Sequence, residues 1–288
     1  MEYLIHISII ISIYAILGVS LNLIVGYTGL LSVTQAAFYG IGAYVTAVLM
    51  TSYGFSFSLS IVVGLLISGI LGLAIGYVLS KFDGDYFALG SFGFNIIVSS
   101  LLINLQGLTG GALGISGIGR PSFFGFEFSS NTSFLVLAIL FILAIYLISQ
   151  FIVHSSFGRV LRAIREDEKA VQVFGYQTTH YKLVIFVIGA MIASVAGSLF
   201  ASYISYINPS TFDLTESIFI LSIIILGGLA NNKGAICGAI FLILLPEILR
   251  FVGFPTGIAA ELRQIVYGLT LVLLMLYRPQ GLIGKYKL

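Results

Sequence analysis

The sequence predicts an all-α, polytopic helical membrane protein with about eight to ten transmembrane helices, built as a single transmembrane domain over residues 1–288. Three observations carry this expectation. Residues 3–80 form a charge-free run of 78 positions, without one Asp, Glu, Lys or Arg. An apolar helix needs about 20 residues to cross the ~30 Å hydrocarbon core, so this run alone has room for three crossings with turns. Charged residues make up only 8% of the chain and hydrophobic residues 59%, whereas an ordinary soluble domain is about 25% charged. Finally, no polar segment is long enough for a separate soluble domain; the longest, about 106–132, reads as an extracytoplasmic loop.

Taken in order, apolar runs place spans near 3–25, 28–50, 57–80, 86–105, 133–153, 183–206, 214–230, 234–252 and 261–278. The first run is too long for a signal-peptide core and lacks a basic leader, so it should stay as a transmembrane helix. Gly26-Tyr27-Thr28-Gly29 joins the first two spans closely. The segment beyond is rich in Ser, Thr, Gln and Gly, as expected for a broken or re-entrant helix that lines a cavity. Gly64, Ser68, Gly72 and Gly76 recur every four residues, as do Gly189, Ala193, Gly197 and Ala201. Such small-residue stripes let helix backbones approach closely in lipid and predict a packed bundle rather than a site. Pro246 lies inside the eighth span and should kink it by removing a helical hydrogen bond. A faint internal echo accompanies these spans: Gly29-Leu30-Leu31-Ser32 leads into Gly40 and Gly42, and Gly227-Gly228-Leu229-Ala230 leads into Gly234 and Gly238.

Lys and Arg in short loops set orientation. Arg159, Arg162, Arg165, Lys169 and Lys182, the tail residues Arg278, Lys285 and Lys287, and Lys81 and Lys233 place ten of the thirteen basic residues on one side, expected to be cytoplasmic. Arg120, Arg250 and Arg263 remain. Nine spans then put the N-terminus outside.

The most polar stretch, within a cytoplasmic segment of about 155–181, reads as an amphipathic helix outside the bilayer. Phe157, Val160, Leu161, Ile164, Val171 and Phe174 form an apolar stripe at helical spacing, and Gly175 is a natural stop. Loops of this kind can merely enforce topology and touch lipid headgroups. The three consecutive acids Glu166, Asp167 and Glu168 would meet anionic lipid unfavourably, so a docking surface for a soluble protein is the preferred reading.

Several function classes are poorly supported. The basic residues form no stripe, which argues against nucleic acid. The single Cys237 cannot form an internal disulfide, and no Cys/His cluster suggests a metal. There is no HExxH, GxSxG or phosphate-binding GxxxxGK[ST] sequence, so the chain is expected to be no enzyme and to bind no cofactor itself. An ion-coupled carrier working alone usually keeps acids within its spans, whereas Asp213, Glu216, Glu247 and Glu261 fall at or near span ends.

The motifs resemble those of the branched-chain amino acid ABC-importer permeases, and most of all the M-type subunit of the two paralogous permeases. They are Asn22-Leu23, Gly26 to Ser32, Gln35 to Tyr44, Tyr86-Phe87-Ala88 with Gly93-Phe94, Leu108 to Gly111, Ser156 to Arg159, Arg162 to Glu166, Gly175 and Tyr181-Lys182-Leu183. Gly227-Gly228, Gly234, Gly238 and Arg278-Pro279-Gln280-Gly281-Leu282 complete them over nearly the full length. The resemblance implies an ABC-importer permease bundle that takes branched-chain or related apolar amino acids by alternating access. It implies as partners a paralogous second permease, two cytosolic ATPases that carry the ATP and Mg, an extracytoplasmic substrate-binding protein and membrane lipid. It further implies ATPase coupling through Arg159, Arg162, Arg165, Glu166, Asp167, Glu168 and Gly175. The general importer pattern has Gly four residues after the second Ala of Glu-Ala-Ala; here Ala170 precedes Gly175 by five.

A translocation path is expected along Asn22, Thr28, Gly29, Ser32, Thr34, Gln35, Tyr39 and Gly42, with Thr109, Gly110 and Gly111 near the outer mouth. The alternative is that these polar groups bond neighbouring helices. For the whole protein, a urea or short-chain amide importer on the same fold is the nearest alternative.

Overall fold

The computed structural model describes residues 2–82, 84–123, 126–251, 268, 269, 272 and 280–283. Helix α1 (Glu2–Leu21) runs into a five-residue π-helical turn, Asn22–Gly26. The chain then leaves helical geometry at Gly29, whose φ of +76° favours glycine. Helix α2 (Gln35–Thr51) begins only after this break. The expected span 28–50 is therefore a non-helical entry followed by a 17-residue helix. Part of the reason is local: the Ser32 and Thr34 hydroxyls bond each other at 3.0 Å, and Thr34 caps no helix N–H with its side chain.

Helices α3 (Phe57–Leu79) and α4 (Asp85–Asn104) follow. The 106–132 region folds into short pieces: α5 (Gln106–Thr109), a 3-10 turn at Gly111–Leu113, β1 (Ile115–Ser116), and a hairpin of β2 (Ser122–Phe123) with β3 (Phe126–Glu127). Next come α6 (Asn131–His154), α7 (Ser156–Glu166), α8 (Glu168–Val173) and α9 (Thr178–Ile204). Strand β4 (Tyr206–Ile207) pairs antiparallel with β1, setting Ile115 opposite Ile207. A 3-10 turn at Pro209–Phe212 leads to α10 (Leu214–Gly227) and α11 (Asn232–Phe251), which contains Pro246.

Among the described residues five helices are long and apolar enough to cross a membrane: Glu2–Gly26, Phe57–Leu79, Asp85–Asn104, Asn131–His154 and Thr178–Ile204. There are six if α10 and α11, bent by 118° across their break, count as one. This is fewer than the eight to ten expected. Helix α10 has 14 residues, about 21 Å at 1.5 Å per residue, which is short of the hydrocarbon thickness. The ninth expected span, 261–278, lies outside the described residues.

Helix α9 is the hub. Its small residues let α2 and α3 approach so closely that a Cβ on Gly197 would collide with the Tyr39 carbonyl, and one on Gly42 with the Ser194 backbone. On α3 the stripe Gly64, Ser68, Gly72 and Gly76 is buried while Leu66, Ile70, Leu73 and Tyr77 are exposed. Gly64 faces Ser194 and Gly72 faces Ala190. This inverts a soluble helix: small residues pack inward and large apolar ones face outward, as suits a surface solvated by lipid. Buried Phe38, Tyr39, Phe186 and Phe212 fill the space around the hub, with Phe38 and Phe186 ring centroids 5.7 Å apart and Tyr39 and Phe212 5.0 Å apart.

Contacts collect the 155–182 segment, the α1–α2 break and the α10–α11 break at one end of the bundle, called here the basic end. The first residues of α1 lie at the other end, where Tyr3 bonds Glu247 and the His6 ring bonds the Tyr203 hydroxyl at 2.6 Å. Replacing Gly197 with Leu should overpack the α2–α9 seam and cost about 1–3 kcal/mol or more. Thermal unfolding in detergent checks this; an unchanged midpoint would show that the seam can yield.

Candidate functional site

Two regions gather the chemistry-bearing residues. The first is the pair of helix breaks at the basic end. Asn22, fully buried in the π-turn, donates through Nδ2 to Asn232 Oδ1 at 3.0 Å and accepts the Ala230 N–H at 3.0 Å. Asn232 donates in turn to Ser149 of α6 at 2.5 Å. Gly26 must be glycine here, because a Cβ would overlap the Asn22 side chain and press on the Ala230 N–H. The π-helical turn at the end of α1 and the α10–α11 break therefore meet in space, stitched by a buried amide.

Deeper in the bundle, the start of α2 is capped from another element. The Ser217 hydroxyl of α10 accepts the Ala36 N–H at 2.9 Å and Asn95 Nδ2 of α4 at 2.7 Å. Asn95 Nδ2 also donates to the Val33 carbonyl at 2.9 Å, and the Val33 N–H donates to Ser91 at 3.1 Å. Gln35 donates to Ser20, which donates to the Gly189 carbonyl. Ser32, Thr34 and Gln35 are fully buried.

Thr28 bonds the Ile24 carbonyl at 2.6 Å, Gly29 is exposed, and Tyr39 and Gly42 lie in the α2–α9 seam. Of the expected path residues, Asn22 and Gln35 bond other elements, whereas Ser32 and Thr34 bond each other. Gln35 Oε1, Asn95 Oδ1 and the Tyr39 hydroxyl are buried without a hydrogen-bond partner among the described residues. Thr109, Gly110 and Gly111 are apart from this network. Thr109 bonds the Leu102 and Leu105 carbonyls, and the two glycines turn the chain with φ of +70° and +59°.

The second region is α7–α8. The single helix expected through residue 175 breaks at Asp167, whose extended backbone (φ −155°, ψ 99°) separates α7 from α8 and whose carboxylate caps α8 by accepting the Ala170 N–H at 3.0 Å. Leu161, Ile164 and Val171 are buried as the stripe predicts, but Phe174 is 81% exposed beside Val173 at 86%. Between the two helices lies an open groove of about 670 Å³, lined by Phe157, Val160, Ala163, Val171, Phe174 and Tyr181 among others, with Arg159, Glu166 and Asp167 at its rim. Gly175 follows α8 with φ of +86°.

The expected coupling residues divide between the groove and the bundle. Arg159 is exposed and bonds Ser156 at 2.8 Å, and Glu166 is exposed. Arg162 points to the Val153 carbonyl at 3.5 Å. Arg165 turns inward and donates to the Gly26 carbonyl. Glu168 accepts from Thr178 at 2.8 Å and pairs with Lys182, whose side chain is 7% exposed.

The sequence reading missed Ser20, Asn95, Ser149, Ser217 and Asn232 as members of these networks. Asn95 was the findable one, as an amide in the middle of an apolar helix. Glu216 lies in the first turn of α10, near a span end as expected, and its carboxylate accepts from Tyr14 of α1 at 2.5 Å.

Comparison with known proteins bears on both regions. The family described as "Branched-chain amino acid transport system / permease component" matches residues 3–275. The high-affinity branched-chain amino acid transport system permease protein LivM of Salmonella typhimurium is 35% identical over 295 residues, covering 94% of this chain and 68% of the relative. LivM of Escherichia coli is 34% identical over the same shares. The permease protein LivH of Salmonella typhimurium is 26% identical over 95% of this chain and 92% of its own length. No solved structure matches.

Ser217→Ala would leave the Ala36 N–H and an Asn95 donor bond unmade, a loss of about 1–3 kcal/mol. The drop in unfolding midpoint should exceed that of an exposed control such as Ser156→Ala. Unchanged stability with lost transport would instead favour a path-lining role for this segment.

Proposed function

The chain belongs to the family of branched-chain amino acid transport permeases, and from that footing we propose that it is the permease subunit of an ATP-driven importer for branched-chain or related apolar amino acids. In this reading it is a multi-pass cell-membrane protein that performs no covalent chemistry. ATP and Mg bind two cytosolic ATPase partners, a paralogous second permease completes the pathway, and an extracytoplasmic binding protein delivers the substrate. Similarity to both LivM and LivH supports the pairing of two related permeases.

The observation that carries the reading is the α7–α8 groove. An apolar concavity rimmed by mixed charge, with Val173 and Phe174 standing exposed beside it, lies between two membrane-spanning helices at the basic end. The positive-inside rule makes that end cytoplasmic. Protein interfaces favour such an aromatic anchor within a polar rim. ATP-driven closure of the partners would push this element and rock the bundle between outward- and inward-facing forms.

Co-expression with phosphate-loop ATPases and a second permease encoded beside this chain should give ATP-dependent leucine uptake in vesicles. Gradient-driven uptake by this chain alone would overturn the reading. Phe174→Ala should weaken ATPase co-purification about tenfold, the effect of losing a modest hot spot. A cysteine placed at Lys169 should resist impermeant labelling in intact cells, and ready labelling there would invert the orientation.

A further inference from the structure

We propose that Arg165 and Glu168 are positioning residues that carry movement of the α7–α8 groove into the bundle, rather than contacts to the ATPase. The inference rests on the reading of α7–α8 as the ATPase-docking element. Both side chains leave the groove side of their helices. The Arg165 guanidinium donates to the Gly26 carbonyl, and its Cγ lies 3.2 Å from where a Cβ on Gly29 would stand. Gly26 is also where the α1 break abuts Ala230 of the α10–α11 break. Arg165 thus grips the point at which both breaks meet.

Glu168 makes the second arm. Its carboxylate accepts from Thr178 and pairs with the buried Lys182, both in the opening turns of α9, the helix against which α2 and α3 pack. Gln172 adds a 3.0 Å bond to Thr178. Helix α8 has only six residues, too few to hold together without such anchors. Asp167 alone separates the two helices that carry the arms, so a change in the α7–α8 angle reaches the α1 break through one arm and α9 through the other.

Charge-assisted bonds suit this task because they are short and directional. The Lys182 pair is also stiff, since separating it would strand a buried charge. Gly29 leaves room for the arginine stem, with a backbone already in the left-handed region.

The test uses the complete complex in vesicles, with leucine-loaded binding protein, and reads leucine transported per ATP hydrolysed. Arg165→Ala should leave the ATPases co-purifying and lower that ratio about tenfold, the loss of one charged hydrogen bond, while Arg165→Lys should recover part of it. Glu168→Lys and Lys182→Glu should each lower the ratio, and the double exchange should restore it. Because transport and hydrolysis are read from the same assembled complexes, a lower folded yield changes both alike and does not mimic the effect. Loss of the ATPases from Arg165→Ala would make that residue a docking contact, and an unchanged ratio would end the proposal. A wild-type complex without ATP-dependent uptake would instead remove the importer reading itself.

Discussion

The structure depends on one constraint: buried backbone that leaves helical geometry must find its hydrogen bonds inside the protein. Two helix connections are buried in the protein here, one between α1 and α2 and one, bent by 118°, between α10 and α11. Neither break is left to lipid. Asn22 supplies a carboxamide that serves Ala230 and Asn232 across the gap, and Ser217 caps the opening turn of α2 from the far side. Each break is bonded by residues belonging to another element. Much of the buried polar network therefore serves the breaks.

Close packing is what brings these partners within reach. Helix α9 carries Gly189, Ala193, Gly197 and Ala201 on a buried face, and its neighbours answer with Gly42, Gly64 and Gly72. In lipid there is no hydrophobic drive to hold helices together, so van der Waals contact between near-touching backbones does that work. Larger residues are displaced to the outer faces of α3, α4 and α6, where Leu66, Ile97 and Leu140 are exposed.

The basic end divides labour along the same lines. Of the residues singled out in the 155–181 segment, Arg159, Glu166 and Asp167 remain around the groove while Arg165 and Glu168 reach into the bundle. Spacing alone could not separate these groups. A helical projection treats residues 159–175 as one continuous surface, but the extended backbone at Asp167 rotates the second half relative to the first. Phe174 left the buried stripe for the same reason.

Membrane class, the places of most spans and the packing role of the small-residue stripes were determined by sequence alone. Each follows from composition or period, and hydrocarbon imposes both without reference to distant residues. The Gly-rich sequence at 26–29 was likewise legible as the lead into a broken segment. Tertiary structure alone decided that the two breaks face one another, that α10 and α11 fold back by 118° rather than each crossing fully, and that Asn95, Ser217 and Asn232 complete the polar network. Those facts depend on pairings 60 to 210 positions apart in the chain. A buried amide advertises its need for a partner, yet only the folded bundle determines which helix supplies it.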